Sequence, residues 1–238
     1  ASDVYKRQAK KYGITREEQD KFGYESHLKA AKAWEKGYYD NEVFPIEIPA
    51  TKKRPGFTFT KDECFRVNVS LEVMSKLKPV YPGGTTTAGT SSGITDGAAA
   101  MVVTSRQKAK ELGLKPLASI VAYATVAIDP IDMLEAPIYA IPKVLEKAGM
   151  TLDDIDLIEI NEAFATPVLA AIKVLNLDPK KVNVHGGAIA LGHPTGFTGG
   201  RIPVTMINAL RVHNKKFGLI SLCGGGGLGS SVIIKRED

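Results

Sequence analysis

From residue 98 onward, short apolar runs alternate with amphipathic helical segments, and this alternation restricts the fold more than any other feature. Continuous β-branched runs between amphipathic helices are typical of a sheet covered on both faces. The pattern therefore predicts an α/β fold, with residues 98–103 as either a helix or a buried strand. Strands are predicted at 118–125, 157–160, 182–184, 217–222 and 231–235, and helices at 105–112, 136–148, 164–175 and 198–213.

The first part of the chain has a different organisation. Thr15 and Glu18 form a capping box, which predicts a helix that continues to about Lys36 and stops at Gly37. A strand at 43–48, a loop or hairpin at 52–60 and a short helix at 70–77 are predicted next. The turn-rich segment GGTTTAGTSSG at 83–93 marks a boundary. Residues 1–8 match nothing downstream, and we interpret DVYKRQ at 3–8 as a sequence-assembly artefact.

Composition excludes several classes of protein. The net charge is +5, but Lys and Arg are interspersed with Asp and Glu, so nucleic-acid binding is not expected. Cys64 and Cys223 do not make a disulfide framework. No apolar stretch could span a membrane and no signal peptide opens the chain, which predicts a cytoplasmic or organelle-matrix protein. The histidines have no metal-ligand spacing, so no metal is expected; they are His27, His185, His193 and His213.

His193 is the first candidate for chemistry. Gly192 and Pro194 hold it in a turn, within the segment GGAIALGHPTGFTGGR at 186–201. Further glycines follow at the start of a predicted helix, where a ligand could approach free backbone N–H groups. A surface or capping histidine is the alternative interpretation.

Cys223 and Asn161 are the other two candidates, and each follows an apolar strand. Cys223 precedes four glycines at the end of its strand, where α/β proteins bind ligands, and the Gly225 N–H could act as an oxyanion donor. A buried structural cysteine is the alternative for Cys223. Asn161 opens the segment NEAFA, where it could instead cap the next helix, with Glu162 complementing the helix dipole.

These motifs, in this order and spacing, resemble those of the thiolases. NEAFA at 161–165, the segment at 186–201 and LCGGGGLG at 222–229 carry the resemblance, supported by 88–100 and 11–20. The resemblance implies an α/β thiolase fold, layered α-β-α-β-α, of which this chain holds the C-terminal half and part of the loop domain. Residues 10–85 would be a partial CoA-binding loop domain and 86–238 the C-terminal core, with 1–9 as a possible non-native segment.

The resemblance implies an acyl-CoA C-acyltransferase, which condenses two acetyl-CoA molecules or cleaves 3-ketoacyl-CoA with CoA. Cys223 would move the α-proton, His193 would stabilise the enolate oxygen and help to activate the nucleophile, and Asn161 would hold a water in the same oxyanion hole. The Gly225 N–H would belong to a second oxyanion hole. Ala88 and Ser92 would line the pantetheine channel, although an ordinary turn is the alternative for Ser92, and Phe164 would wall the acyl pocket.

Two departures from the family pattern matter. The family often has GHPIGASGAR, where this chain has Thr195, Phe197, Thr198 and Gly200. Because Phe197 is bulkier than the usual Ala, the resemblance does not predict which acyl chain length is preferred. The acylated cysteine of the family lies in a C-x-S-G segment that does not occur here, and Cys64 has neither a glycine turn nor an adjacent base. We therefore expect a truncated chain that is inactive alone in the turnover of acetoacetyl-CoA, with an exposed apolar sheet face and poor solubility.

Partners and alternatives follow from the resemblance. Acyl-CoA and CoA are the implied partners, as substrates, with no tightly bound cofactor and a homodimer or homotetramer for the full-length protein. The alternative is a non-catalytic CoA-binding or scaffold module of the same fold. A ketoacyl synthase is disfavoured by the glycine run after Cys223.

Overall fold

A computed structural model describes residues 2–237 of the chain. The helices are α1 Ser2–Lys11, α2 Arg16–Glu35, α3 Leu71–Ser75, α4 Arg106–Glu111, α5 Ala136–Ala148, α6 Ala165–Leu175, α7 Ala188–Leu191 and α8 Thr198–Val212, with short 3-10 turns at Ala88–Thr90, Pro130–Glu135 and Leu152–Asp154. The strands are β1 Ile46–Ile48, β2 Phe57–Phe59, β3 Ala118–Ala127, β4 Leu157–Ile160, β5 Phe217–Gly224 and β6 Leu228–Arg236.

A mixed four-stranded sheet in the order β3-β6-β5-β4 forms the centre of the molecule. β6 runs antiparallel to both of its neighbours, while β4 and β5 are parallel, with Ile160 opposite Ser221. Parallel strands end at the same edge of a sheet. The residues that follow β4 and those that end β5 are therefore neighbours in space.

Helices cover both faces of the sheet at β4 and β5, as predicted. Ile158, Ile160 and Leu219 pack with α5 and α6 on one face. Leu157 and Ile220 alternate to the other face, where they pack against α8. Strand residues of a covered sheet are buried on both sides, which explains the near-continuous apolar runs in the sequence.

Most of the predicted elements are confirmed. The helix at 136–148 and the strand at 157–160 have the predicted bounds. The Thr15 hydroxyl accepts from the Glu18 N–H at 3.2 Å, the Glu18 carboxylate accepts from the Thr15 N–H at 2.7 Å, and Gly37 follows α2 with φ +69°. The segment at 52–60 forms a hairpin, since β2 pairs with β1.

Two predictions are wrong. Residues 98–103 form neither a helix nor a strand and are exposed, with Val102 88% exposed, because no strand in residues 2–237 pairs with them. The strand at 182–184 reduces to one parallel bridge between Ile158 and Val182. The chain turns at Asn183, which has φ +46°, so the pairing cannot continue.

Apolar side chains are exposed on the edge strand β3. Ile120 and Tyr123 each expose more than half of their surface, although α5 covers Ala122 and Ala124 on the opposite face. Poor solubility is what such a surface predicts. In residues 2–237, no helix is both long enough and apolar enough to cross a membrane.

Candidate active site

His193 lies in a tight turn between α7 and α8. Gly192, which precedes it, has φ +86°, and a Cβ there would collide with Thr95, so only glycine fits. The His193 N–H donates to the Gly93 carbonyl at 3.4 Å. The turn is therefore held against the 83–93 boundary loop, and the imidazole is half-buried between them.

Asn161 follows β4 and meets the imidazole directly. Its backbone N–H donates to the Ser221 carbonyl on β5 at 3.0 Å, and its Nδ2 lies 3.2 Å from His193 Nε2. The Asn161 side chain is buried, yet its Oδ1 has no hydrogen-bond partner. The interpretation of Asn161 as a helix cap is wrong, because α6 begins at Ala165 and Phe164 is its N-cap residue.

The second imidazole nitrogen of His193 also has a partner. Nδ1 lies 2.6 Å from the hydroxyl oxygen of Thr198, the first residue of α8. Burial, and secondarily the positive charge of Arg201, lower the pKa of His193 below its ordinary value. The imidazole is therefore neutral at pH 7, with both ring nitrogens held in place.

Cys223 lies one strand away from this pair, near the end of β5. It is opposite Gly229 in the β5–β6 hairpin, and Gly225 lies in the turn of that hairpin. Gly226 has φ +81°, a conformation that favours glycine. Cys223 is partly exposed as a residue, but enough protein surrounds its thiol that burial raises the pKa to about 11. The thiol is protonated at neutral pH.

Glu162 is a buried anchor rather than the helix-dipole partner expected from sequence. Its carboxylate accepts from the Ser26 hydroxyl at 2.7 Å, the Asn183 amide at 2.8 Å and the Ile189 N–H at 3.1 Å. A Cβ at Gly187 would collide with this carboxylate. Burial raises the pKa of Glu162, and these hydrogen bonds oppose the shift. The anchor ties α2 to the turn that leads to His193.

Two of the predicted substrate-binding residues, Ala88 and Ser92, lie along the boundary loop, and Phe164 pairs with that loop. The Ser92 N–H donates to the Ala163 carbonyl at 3.1 Å, and Ser91 pairs with Phe164 in an isolated bridge. Ala88, which is exposed, opens the 3-10 turn before them. The structure thus joins this loop to the NEAFA segment.

Cys64, His185 and His213 contact residues other than the three catalytic candidates. Burial, reinforced by the charge of Asp62, raises the pKa of Cys64 to about 11, which disfavours its thiolate. His185 and His213 lie against each other, with their Nε2 atoms 3.0 Å apart. Nowhere in residues 2–237 do three His, Cys, Asp or Glu side chains come together as a metal site.

Sequence reasoning missed three functional neighbours of the candidate residues. Ser26 and Asn183, which bind Glu162, carry no local signal because they are distant in the sequence. Thr198 could have been found, since a hydroxyl five residues after a histidine in a glycine-rich turn can reach back to the ring.

Comparison with known proteins decides the family. The profile of the thiolase C-terminal domain matches residues 114–236. This chain belongs to the thiolase family. The profile of the thiolase N-terminal domain matches residues 4–107 as well. The division at 85/86 and the artefact at 3–8 stay predictions.

Known thiolases resemble the chain over nearly its whole length. Rat mitochondrial acetyl-CoA acetyltransferase is 47% identical over 96% of this chain and 53% of its own length. The crystal structure of the Bacillus anthracis acetyl-CoA acetyltransferase superposes with a TM-score of 0.95 at 44% identity, over 99% of this chain and 59% of that one. Human mitochondrial 3-ketoacyl-CoA thiolase gives a TM-score of 0.92 at 40% identity, over 99% of this chain and 60% of that one.

These likenesses confirm the α/β thiolase fold. The chain spans somewhat more than half the length of the thiolases that it matches. Its three catalytic candidates come from two neighbouring strand ends and one turn, all at the carboxyl edge of the parallel strand pair.

Proposed function

We propose that this chain carries the carbanion-forming part of an acyl-CoA C-acyltransferase, which joins two acetyl-CoA molecules or cleaves a 3-ketoacyl-CoA with CoA. The contact between Asn161 Nδ2 and His193 Nε2 carries the proposal. This contact groups two polar side chains where β4 ends, beside the strand β5 that carries Cys223, in a chain of the thiolase family.

Cys223 exchanges the proton in this scheme. As a thiolate it removes a proton from the α-carbon of a bound acetyl-CoA, and the electron pair moves onto the thioester oxygen as an enolate. As a thiol it returns the proton to the carbanion in the reverse direction. The raised pKa of Cys223 keeps the thiol, which is the proton-donating form, highly populated, and it makes the thiolate a strong but sparsely populated base.

Asn161 and His193 stabilise the enolate oxygen. A buried amide oxygen without a protein partner is a site that an ordered water satisfies. The orphaned Asn161 Oδ1 therefore supports a water beside His193 that would complete an oxyanion hole. Fixed donors aimed at developing charge are typically the largest contribution to such catalysis.

CoA binding is assigned to the boundary loop and the hairpin turn. Ala88 and Ser92 line the pantetheine channel, Phe164 walls the acyl pocket, and the Gly225 N–H serves a second oxyanion hole. The bond from Ser92 to Ala163 supports this assignment, because it holds the loop beside Asn161. CoA and acyl-CoA are substrates, no tightly bound cofactor is included, and the whole enzyme is a homodimer or homotetramer.

We do not assign the acylation of a cysteine, the other step of the reaction, to residues of this chain. Neither cysteine of the 238 residues stands in a C-x-S-G segment, and the raised pKa of Cys64 makes it a poor nucleophile. We therefore expect these residues alone to exchange the α-proton of acetyl-CoA without cleaving acetoacetyl-CoA. Cleavage by the purified chain would contradict this part of the proposal.

Deuterium exchange tests the proton-transfer role. The chain is mixed with acetyl-CoA in D2O between pH 7 and 9, and loss of the methyl signal is followed by proton NMR. The rate above the Cys223→Ala background should rise about tenfold per pH unit, because the thiolate fraction does. Cys64→Ala is the matched control and should exchange like the parent chain.

The second candidate function, CoA binding without catalysis, is favoured by the protonated state of Cys223 at neutral pH. It is the better account if the parent chain exchanges no faster than Cys223→Ala while calorimetry still detects CoA binding. Absence of both exchange and binding would reject both functions for this chain.

A further inference from the structure

Phe197, where the family usually has a smaller residue, packs against the segment 93–99. A Cβ added to Gly97 would come within 3.2 Å of Phe197 Cγ and 3.1 Å of Pro194 Cγ. Gly97 therefore lies in a slot between these two side chains, and a larger residue would have to displace one of them. Gly97 does not have a positive φ, so the neighbouring side chains, and not the backbone conformation, oppose a larger residue there.

Two further contacts hold the same segment against the turn between α7 and α8. A Cβ at Gly192 would collide with Thr95, and a Cβ at Gly200 would come within 3.3 Å of the Ala99 Cβ. The three contacts recur at every second residue of the segment, which is the spacing of one face of an extended chain. The segment 93–99 therefore packs on the turn along one side.

His193 lies in the middle of this contact surface. Gly192 precedes it, Pro194 follows it, and its N–H donates to the Gly93 carbonyl at 3.4 Å. A hydrogen bond of that length is weak by itself, so the packing on both sides must keep it closed. The Phe197 N–H donates to the Pro194 carbonyl at 3.0 Å, which fixes the position of the phenylalanine relative to the histidine.

We propose that Phe197 is a positioning residue, which packs on Gly97 to hold the segment 93–99 against the His193 turn and does not narrow the acyl pocket. The catalytic purpose of this contact, and the statement on the acyl pocket, rest on the proposed function. The alanine that is usual in the family is too short to make the same contact. The arrangement is therefore specific to chains that carry a large residue at this position.

Hydrogen exchange of single backbone amides tests the contact without any enzymatic activity. In Phe197→Ala the His193 N–H should exchange about tenfold faster, because its bond to the Gly93 carbonyl opens more often. The reference is the Ile158 N–H within β4, which donates to the Lys181 carbonyl at 2.9 Å. An unchanged His193 rate would overturn the proposal. Equal acceleration of both amides would also reject it, because the substitution would then only destabilise the fold.

An exchange of sizes tests whether Gly97 is the partner of the ring. Gly97→Val should accelerate the His193 N–H as Phe197→Ala does, because the added methyl groups displace the ring. In the double variant the valine occupies the space that the ring has left, so the rate should return to within about threefold of the parent value. Additive acceleration in the double variant would reject the pairing.

Folding of these variants is verified by thermal unfolding. Phe197→Leu keeps an apolar side chain in the slot and should protect the His193 N–H nearly as well as the parent chain does. If Phe197→Ala does not fold, Gly97→Val tests the same contact without a change in α8. Rapid exchange in a folded Phe197→Leu variant that matches Phe197→Ala would reject a packing role.

The α-proton exchange of acetyl-CoA and butyryl-CoA distinguishes this role from that of a pocket wall. Phe197→Ala should slow both substrates by a similar factor and keep the ratio of their rates within about threefold. Removal of a pocket wall would instead raise the relative rate of butyryl-CoA by about tenfold or more, which would overturn the proposal. If the parent chain exchanges neither substrate but the amide results hold, the proposed function fails, and with it the statement on the acyl pocket, while the contact that holds the His193 turn stands.

Discussion

Two apolar runs of similar length end up in opposite environments. Leu157–Ile160 forms β4 and is buried, while the run that contains Met101, Val102 and Val103 is exposed. β4 pairs with β5 and lies between helices on both faces, whereas residues 98–103 have no strand partner in residues 2–237. The difference shows that an apolar run specifies a strand only where the rest of the chain provides a neighbour.

The largest contrast should come from truncating one side chain in each run. Ile160→Ala should cost about 2–5 kcal/mol of unfolding free energy, because it leaves a cavity in the core. Val102→Ala should change it by less than about 0.5 kcal/mol. Urea unfolding followed by circular dichroism measures both. A cost above about 1 kcal/mol for Val102→Ala would mean that this segment is packed in solution.

A second comparison is between a buried carboxylate just after β4 and an exposed carboxylate on α3. Glu162→Ala should cost about 3 kcal/mol, because it leaves Ser26 and Asn183 buried without their acceptor. Glu72→Ala, at an exposed position on α3, is the matched control and should be nearly neutral. The same urea titrations measure both variants. A loss below about 1 kcal/mol for Glu162→Ala would show that the anchor is dispensable.

The buried face of β4 also predicts a pH dependence of stability. Burial raises the pKa of Glu159 to about 8 and that of Glu42 to about 7, so the folded chain holds protons that the unfolded chain has released. Stability must then fall as pH rises from 6.5 to 8, by about 1–2 kcal/mol. The histidine pKa values are lowered in the folded chain, so the histidines add stability as pH rises toward and just past their ordinary value of about 6.5, which partly opposes this fall near pH 6.5.

Glu159→Gln isolates this contribution. The variant should lose about 1 kcal/mol less stability than the parent chain between pH 6.5 and 8, because only Glu42 then changes its protonation. Unfolding free energies at the two pH values give the comparison. Equal pH dependence in both chains would mean that Glu159 is ionised in the folded state.

The smallest effect on stability is expected from charges in the exposed run. Val102→Lys should leave the unfolding free energy within about 0.5 kcal/mol of the parent value, while it reduces self-association by interrupting an exposed apolar segment. Sedimentation velocity at several concentrations measures the association. Unchanged association would mean that other exposed residues cause the self-association, such as Ile120 and Tyr123 on β3.

Local signals explain which parts of the fold could be predicted. The helix at 136–148 has a proline in its first turn and ends at Gly149 in the left-handed conformation, so its bounds could be predicted from the sequence. The strand at 182–184 could not be excluded, because the turn at Asn183 depends on tertiary contacts. Its side chain bonds the backbone N–H and carbonyl of Ile160.

The candidate site also has features that could be predicted from the sequence and features that could not. His193 and Cys223 were found because glycines surround them, and glycine-rich turns are visible in a sequence. The pairing of Asn161 with His193, and the anchoring of Glu162 by Ser26, depend on which strand ends become neighbours. Sheet order is a long-range property, so residue types alone could not provide these contacts.

The sheet order also sets the sequence in which the chain can fold. β5 and β6 are joined by a three-residue turn, so they can pair early in folding. This early hairpin includes Cys223. β4 reaches β5 only after about 60 intervening residues have been brought into place, and β3 must close a longer loop onto β6. The bond from the Asn161 N–H to the Ser221 carbonyl joins the two parallel strands where β4 ends, so protection of this N–H from hydrogen exchange reports that β4 has closed onto β5.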